Sequence, residues 1–479
     1  MPELSRQRRM LVLGICCLSL LIVSLDNTIV NIALPTIRRE MHASVAALQW
    51  TIDAYTLVLA SLLVFSGSTA DRVGRRRVFQ IGLVTFSIGS LLCSLAPTVG
   101  TLIAFRVLQA LGGSMLNPVA LSIITNVFTE RRERARAIGV WGGVVGLSFA
   151  LGPTVGGLLV QTIGWRSIFW INIPVGAAAL VLTALFVPES RAVAPRRPDP
   201  VGQVLVLVTL AAITFGIIEG PGRGWTSPGI IGCFVLSAAT LVGLLWYEPR
   251  RAQPLLDLRF FRSAPFSGAT MIAVSAFAAL GGFLFLTTLY LQEARGFSAL
   301  RAGLLTLPMA LAVSVAGPVS GRLVSRTGPR LPLVLGGVGM ATGAALLSGV
   351  GTSTPVGWLL LSYVPFGIGF GLINPPITNT AVSGMPTSQA GVAAAIASTS
   401  RQAGQSFGVA VIGSVATSMA TGAARGSGAL GPGFVSAARP GWWIIAACGV
   451  LVIVLGTVTT GAWAAGTASA VADRLRTAD

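Results

Sequence analysis

Four charged residues stand out away from the ends of stretches that are otherwise apolar: Asp26, Asp53, Arg106 and Arg401. A charge at the centre of a bilayer costs about 2.5–3.5 kcal/mol on insertion scales, so each is a candidate for function. Asp26 lies nine residues before Pro35, Asp53 three after Trp50, and Arg106 five after Thr101. At a helical rise of about 1.5 Å per residue, these three share a depth and are expected to form a proton-responsive network. An apolar setting raises the pKa of a carboxyl group and a nearby arginine lowers it. Movement of Arg106 would thus switch Asp26 between holding and releasing a proton. Asp53, between Trp50 and Tyr55, is either a third member or a solvated charge at a helix start. Arg401, beside Gln402 and Gln405, either lines a substrate cavity or binds backbone carbonyls in a helix break. Between Glu293 and Asp473 there is no acidic residue at all. That stretch therefore holds no carboxylate to pair with a cation.

The elements that hold these residues follow from composition. Of 479 residues, 53% are hydrophobic and only 10% charged, too few to cover a water-facing surface. All 33 basic residues are arginine, and His42 is the one histidine. A lysine-dependent phosphate loop or Schiff base is excluded. A histidine-based triad would have to use His42, which lies among Arg38, Arg39 and Glu40 rather than near a nucleophile. Cys16, Cys17, Cys93, Cys233 and Cys448 are scattered through apolar runs, which speaks against metal sites and disulfides. The net charge of +18 comes as short arginine clusters between apolar stretches. That is the pattern of a topology signal, so no nucleic-acid partner is expected. No enzyme chemistry and no cofactor are expected either.

A membrane helix needs about 20 mostly apolar residues. Fourteen such stretches are predicted, at roughly 10–34, 47–70, 78–97, 101–124, 136–160, 167–187, 202–219, 228–247, 264–291, 301–324, 331–350, 355–382, 389–420 and 441–465. The first is too long for a cleaved signal peptide and carries Asp26 and Asn31. With a cytoplasmic N-terminus, 23 arginines fall in inner loops and 8 in outer loops. That bias places both termini in the cytoplasm. The segment 249–262 mixes Leu255, Leu256, Leu258, Phe260 and Phe261 with four arginines and reads as an interfacial helix.

Two motifs recur in register. Gly67, Asp71, Arg72, Gly74, Arg75 and Arg76 are matched by Gly321, Ser325, Arg326, Gly328, Pro329 and Arg330. Gly112 precedes Asn117 and Pro118 as Gly369 precedes Asn374 and Pro375. Two homologous six-helix halves explain both echoes, with two helices inserted between them. Such repeats are a transporter architecture with a substrate site between the halves.

Several stretches resemble the major facilitator superfamily, in particular its fourteen-helix drug:proton antiporters. They are Leu25–Pro35 (L-D-N-T-I-V-N-I-A-L-P), Gly67–Arg77, and Arg106, Gln109 and Gly112 in the fourth span. The fifth span adds Gly146, Gly152, Pro153, Gly156 and Gly157. Trp165, Arg166, Phe169, Asn172 and Pro174 follow it, and Arg401, Gln402 and Gly404 lie in the thirteenth span. The resemblance implies an all-α polytopic membrane protein, with two six-helix bundles related by a pseudo-two-fold axis and fourteen transmembrane helices. Its parts would be 1–190, the inserted pair 200–248, the interfacial segment 249–262, and 263–479. It implies a proton-driven exporter of lipophilic small molecules in a bacterial cytoplasmic membrane, monomeric and without cofactor. The alternative is a dedicated exporter of one endogenous metabolite, antibiotic or lipid. Asp26, Arg106 and Asp53 would couple protons. Gly67, Asp71, Arg72, Gly74 and Arg75 would latch the halves, or anchor the loop to the inner surface. The fifth-span glycines and Pro153 allow close helix approach and a bend, and in the family are associated with export. Asn31, Gln109, Asn117, Trp141, Phe149, Tyr290, Tyr363, Asn374 and Arg401 would line the cavity, each with packing between helices as the alternative.

Overall fold

The structure, a computed structural model, describes residues 5–192, 199–251, 253–383, 385, 389–420 and 433–476. Arg196, Arg197 and Arg425, counted in the loop bias, lie outside the described residues. The helices are α1 (Arg6–Met41), α2 (Val45–Val73), α3 (Arg75–Leu95), α4 (Val99–Val127), α5 (Arg131–Thr162), α6 (Ser167–Trp170), α7 (Asn172–Phe186), α8 (Pro200–Arg223) and α9 (Pro228–Tyr247), followed by α10 (Ala264–Leu289), α11 (Ala299–Thr327), α12 (Arg330–Ser348), α13 (Val356–Val382), α14 (Ala390–Ala420), α15 (Gly433–Val458) and α16 (Ala462–Arg476). Among the described residues, thirteen helical segments are long and apolar enough to cross a membrane, with α6 and α7 acting as one. The less apolar α14, which carries Arg401, packs between α10, α2 and α15 and completes the bundle.

Local chemistry sets the helix limits. Ser44 accepts the Ala47 N–H at 3.1 Å to start α2, and Thr98 with Thr101 forms a capping box for α4. Gly74 ends α2 at φ +126° and Gly328 ends α11 at φ +81°. The two repeated loops thus use glycine at the same point, where a side chain would be strained.

The repeat is visible in the packing. α1 lies on α5 as α10 lies on α14, α2 on α4 as α11 on α13, and α3 on α4 as α12 on α13. Across the middle, α5 meets α11 and α2 meets α14. The repeated glycines make equivalent crossings. A β-carbon on Gly112 would lie 2.7 Å from the Gly82 carbonyl oxygen and 2.8 Å from Phe86 Cα, and one on Gly369 would lie 2.5 Å from the Met340 nitrogen. Backbone atoms cannot step aside. Gly112→Ala is expected to cost about 1–3 kcal/mol, the usual range for overpacking. Gly139→Ala, with open space around the site, should be neutral. Thermal unfolding of the purified variants checks the pair.

The apolar core shows how the halves meet. One buried cluster runs through α10–α15 and continues into the first half at Leu25, Ile29, Leu34, Leu48, Ile52 and Trp165. A second, with Val12, Val23, Phe79, Phe86, Ile123 and Phe128, belongs to the first half alone. The halves are therefore fused at the end away from the arginine-rich loops.

Two expectations are corrected. The segment 249–262 is not a continuous helix. It forms two 3-10 turns, Glu248–Arg250 and Leu258–Arg262. Pro249 and Pro254 interrupt helical bonding, and Phe260 turns inward to pack on Phe266 with ring centres 5.5 Å apart. The last span is displaced: α15 ends at Val458 and a separate helix, α16, carries residues the expected span 441–465 had included.

Candidate functional site

The first half holds a buried polar network at the level of Asp26. Asp26 is 0% exposed and Arg106 1%. Arg106 Nη1 donates to Asp26 Oδ2 and, at 2.7 Å, to Gln109 Oε1. Asp26 Oδ1 accepts from Gln109 Nε2 at 2.9 Å and Asn172 Nδ2 at 3.1 Å. Both amides also donate to Ser90 Oγ, at 2.7 and 3.1 Å. Arg106 Nε donates to the Thr51 carbonyl at 3.1 Å, and the guanidinium lies 4.0 Å above the Tyr55 ring centre, a stacking that desolvation strengthens. Helices α1, α2, α3, α4 and α7 each contribute a residue.

The network is not the trio expected from depth. Asp53 is also 0% exposed, but Arg106 reaches the Thr51 carbonyl instead. Thr56 Oγ1 donates to Asp53 Oδ1 at a long 3.5 Å, and Oδ2 has no partner. Burial also rules out the solvated helix-start alternative. Ser90, Asn172 and Tyr55 were not expected in the network. Asn172 was marked only by its motif, and Ser90 by nothing in the sequence.

The fifth-span glycines lie between two helices. A β-carbon on Gly156 would fall 2.5 Å from Ile29 Cγ1 of α1, and one on Gly157 2.6 Å from the Ala299 carbonyl of α11. From the other side, Gly303 of α11 sits against the Pro153 carbonyl. Ser314 donates to the Gly146 carbonyl at 3.1 Å. Gly152 packs on Thr28, two residues from Asp26. The motif is thus the point where α5 touches the network helix and the opposite half together. Other bonds join the halves nearby: Gln49 Nε2 donates to the Val409 and Ala410 carbonyls at 2.9 and 3.0 Å, Gln292 Nε2 to the Ile32 carbonyl at 2.9 Å, and Arg38 pairs with Glu293 at 3.3 Å.

In the arginine-rich loop, Asp71 pairs with Arg75 at 2.9 Å, one turn apart in the same half. The Arg76 N–H donates to Glu189 Oε1 at 3.1 Å. The bonds of Asp71 and Arg75 therefore stay within the first half in this state, rather than latching the two halves. Arg72 is exposed, Gly74 faces the Glu189 carboxylate, and Gly67 lies in ordinary contact with Pro118.

Of the expected cavity residues, Gln109 belongs to the buried network. The Tyr290 hydroxyl donates to the Gly351 carbonyl at 2.7 Å, so its polar end is held by a loop rather than turned to a cavity. Asn31 bonds its own helix at the Asn27 carbonyl, 3.1 Å. Asn117 Oδ1, Trp141 Nε1 and the Tyr363 hydroxyl are buried without partners. Phe149 of α5 meets Phe370 of α13 across the seam, with ring centres 6.1 Å apart. Arg401 Nη2 donates to Thr378 Oγ1 and, at 3.5 Å, to the Asn374 carbonyl.

Comparison with known proteins agrees with this architecture. The profile of the Major Facilitator Superfamily matches residues 16–409. The chain is 37% identical to the multidrug resistance protein Stp of Mycobacterium tuberculosis (strain CDC 1551 / Oshkosh), over 83% of this chain and 74% of that one. It is 39% identical to the tetracenomycin C resistance and export protein of Streptomyces glaucescens, over 82% and 73%. It is 36% identical to the methylenomycin A resistance protein of Streptomyces coelicolor, over 88% and 90%. Among solved structures, a bacterial homologue of the human lysosomal transporter Spinster, inward-facing and unoccupied, shares the fold with a TM-score of 0.65 at 18% identity, covering 99% of both chains. The chain belongs to the Major Facilitator Superfamily, and is a multi-pass membrane transporter rather than an enzyme.

Proposed function

We propose that the protein is a proton-coupled antiporter that exports lipophilic small molecules across a bacterial cytoplasmic membrane by alternating access. The observation that carries the reading is the buried Asp26–Arg106 pair: one protonatable carboxylate, shielded from water, bonded to a guanidinium on a neighbouring helix. The relatives named for multidrug or antibiotic resistance support export of small molecules. With the arginine-rich loops and both termini in the cytoplasm, the fused end faces outward. A membrane potential of 100 mV is worth about 2.3 kcal/mol per charge moved, roughly fifty-fold accumulation, without ATP or another cofactor. The working unit is a monomer, because each half finds its partner within the chain. A second reading, a dedicated exporter of one compound, is supported by relatives named for single antibiotics.

Inside-out vesicles with an imposed proton gradient test the proposal. Lipophilic compounds are added singly while a pH-sensitive dye is followed, for wild type and Asp26→Asn. Gradient collapse with several compounds, lost in the variant, is the expected result. Collapse with one compound alone would favour the dedicated exporter. Flux without proton movement would overturn proton coupling.

A further inference from the structure

Arg401 has no ion-pair partner among the described residues. It lies midway along α14, inside the second half, and no acidic residue occurs between Glu293 and Asp473. Helices α11 to α15 thus offer no carboxylate to neutralise it. Its Nε is buried with no hydrogen-bond partner, and only Nη2 donates, to neutral oxygens of α13. A guanidinium presents five donors in a planar fork that matches a carboxylate. Arg401 is half-buried and Thr378 beside it is exposed, so the fork is reachable from outside, while its buried Nε stays unpaired at a cost until a ligand accepts from it. By contrast, Arg106 in the first half has a carboxylate partner in Asp26.

The surroundings describe the rest of the ligand. The guanidinium carbon lies 5.9 Å from the Phe277 ring centre. Phe277 stands edge-on to Phe370 at 5.1 Å, and Phe370 meets Phe149 of the first half at 6.1 Å. An aromatic row therefore runs from the unpaired cation to the α5 side of the seam, one turn from Pro153. Offset and edge-on ring contacts of this kind suit a flat, ring-bearing molecule.

We propose that Arg401 binds the acidic group of an aromatic or polycyclic anion, a carboxylate or an ionised phenol or enol, whose rings lie along Phe277, Phe370 and Phe149. This rests on the export reading and narrows its substrate class. The proton site and the anion site then occupy different halves, with no shared residue.

Equilibrium binding tests the assignment separately from transport. The purified protein is titrated with three fluorescent probes sharing one ring system: 1-pyrenebutyrate, 1-pyrenebutanol and 1-pyrenemethylamine. Energy transfer from tryptophan reports occupancy. The acid is expected to bind at least tenfold more tightly than the alcohol and the amine. Arg401→Gln should erase that preference while keeping the wild-type affinity for the alcohol, and Arg401→Lys should restore part of it. Equal affinities in wild type, or an acid preference that survives Arg401→Gln, would overturn the proposal. Loss of alcohol binding together with a lowered unfolding temperature in Arg401→Gln would assign the arginine to structure and also overturn it. Proton-coupled flux in vesicles is measured alongside. If wild type moves no compound but Arg401 still sets the acid preference, the export reading fails and the binding site stands.

Discussion

Arg106→Ala is expected to abolish gradient-driven transport and to cost about 3–5 kcal/mol of stability, the usual penalty for stranding one partner of a buried ion pair. Asp26 would keep its bonds to Gln109 and Asn172 but lose the charge that balances it. Asp26→Asn is nearly the same shape and removes the charge instead. Its transport should also vanish, while its stability falls less, because an amide oxygen still accepts from Arg106. The Asp26→Asn/Arg106→Gln double variant should regain most of the stability lost in Arg106→Ala without regaining transport. Thermal unfolding and vesicle flux, measured on all three, separate the two quantities. An Arg106→Ala protein that still exchanged protons for substrate at the wild-type rate would remove the pair from the mechanism.

Gly303→Val is expected to lower transport at least tenfold while leaving the protein folded. Any β-carbon there collides with the Pro153 carbonyl across the seam, and neither atom belongs to a flexible side chain. The two halves have their own helix crossings, α3 on α4 and α12 on α13, which the substitution does not touch. The cost therefore falls on the closed arrangement alone. Gly157→Val, approaching from α5 toward the Ala299 carbonyl, should behave alike. Reaction of an added Leu300→Cys with an impermeant maleimide should accelerate in Gly303→Val if closure is what has been lost. Unchanged transport and unchanged labelling would mean that this contact does not set the closed state.

Most of the fold was legible because the bilayer imposes simple rules: runs of about 20 apolar residues, and arginine on alternate loops. The repeat was legible from glycines that the structure shows at equivalent crossings, Gly112 and Gly369. Depth counting brought Asp26 and Arg106 together, but depth says nothing about which face of a helix a residue occupies. Thr51 and Asp53 differ by two residues, about 200° around α2. The first presents its carbonyl to Arg106, and the second cannot reach it. Tyr290 failed for a related reason. Its hydroxyl is captured by the Gly351 carbonyl, a partner 61 residues away that no local pattern announces. The segment 249–262 has helical composition, yet Pro249 and Pro254 override it.

The inserted pair changes how the bundle meets lipid. Helix α8 packs on both α2 and α14. Trp50 Nε1 donates to Glu219 at 3.0 Å, Gln203 to the Ser61 carbonyl, and Ser414 to the Ile217 carbonyl at 2.8 Å. One of the two seams between the halves is therefore covered along its length. The other, α5 against α11, carries outward-facing Leu147, Leu158, Leu304, Leu311 and Val315. Among the described helices, neither of the inserted pair packs over both α5 and α11 as α8 does over α2 and α14, so the bundle turns one seam toward the acyl chains and shields the other.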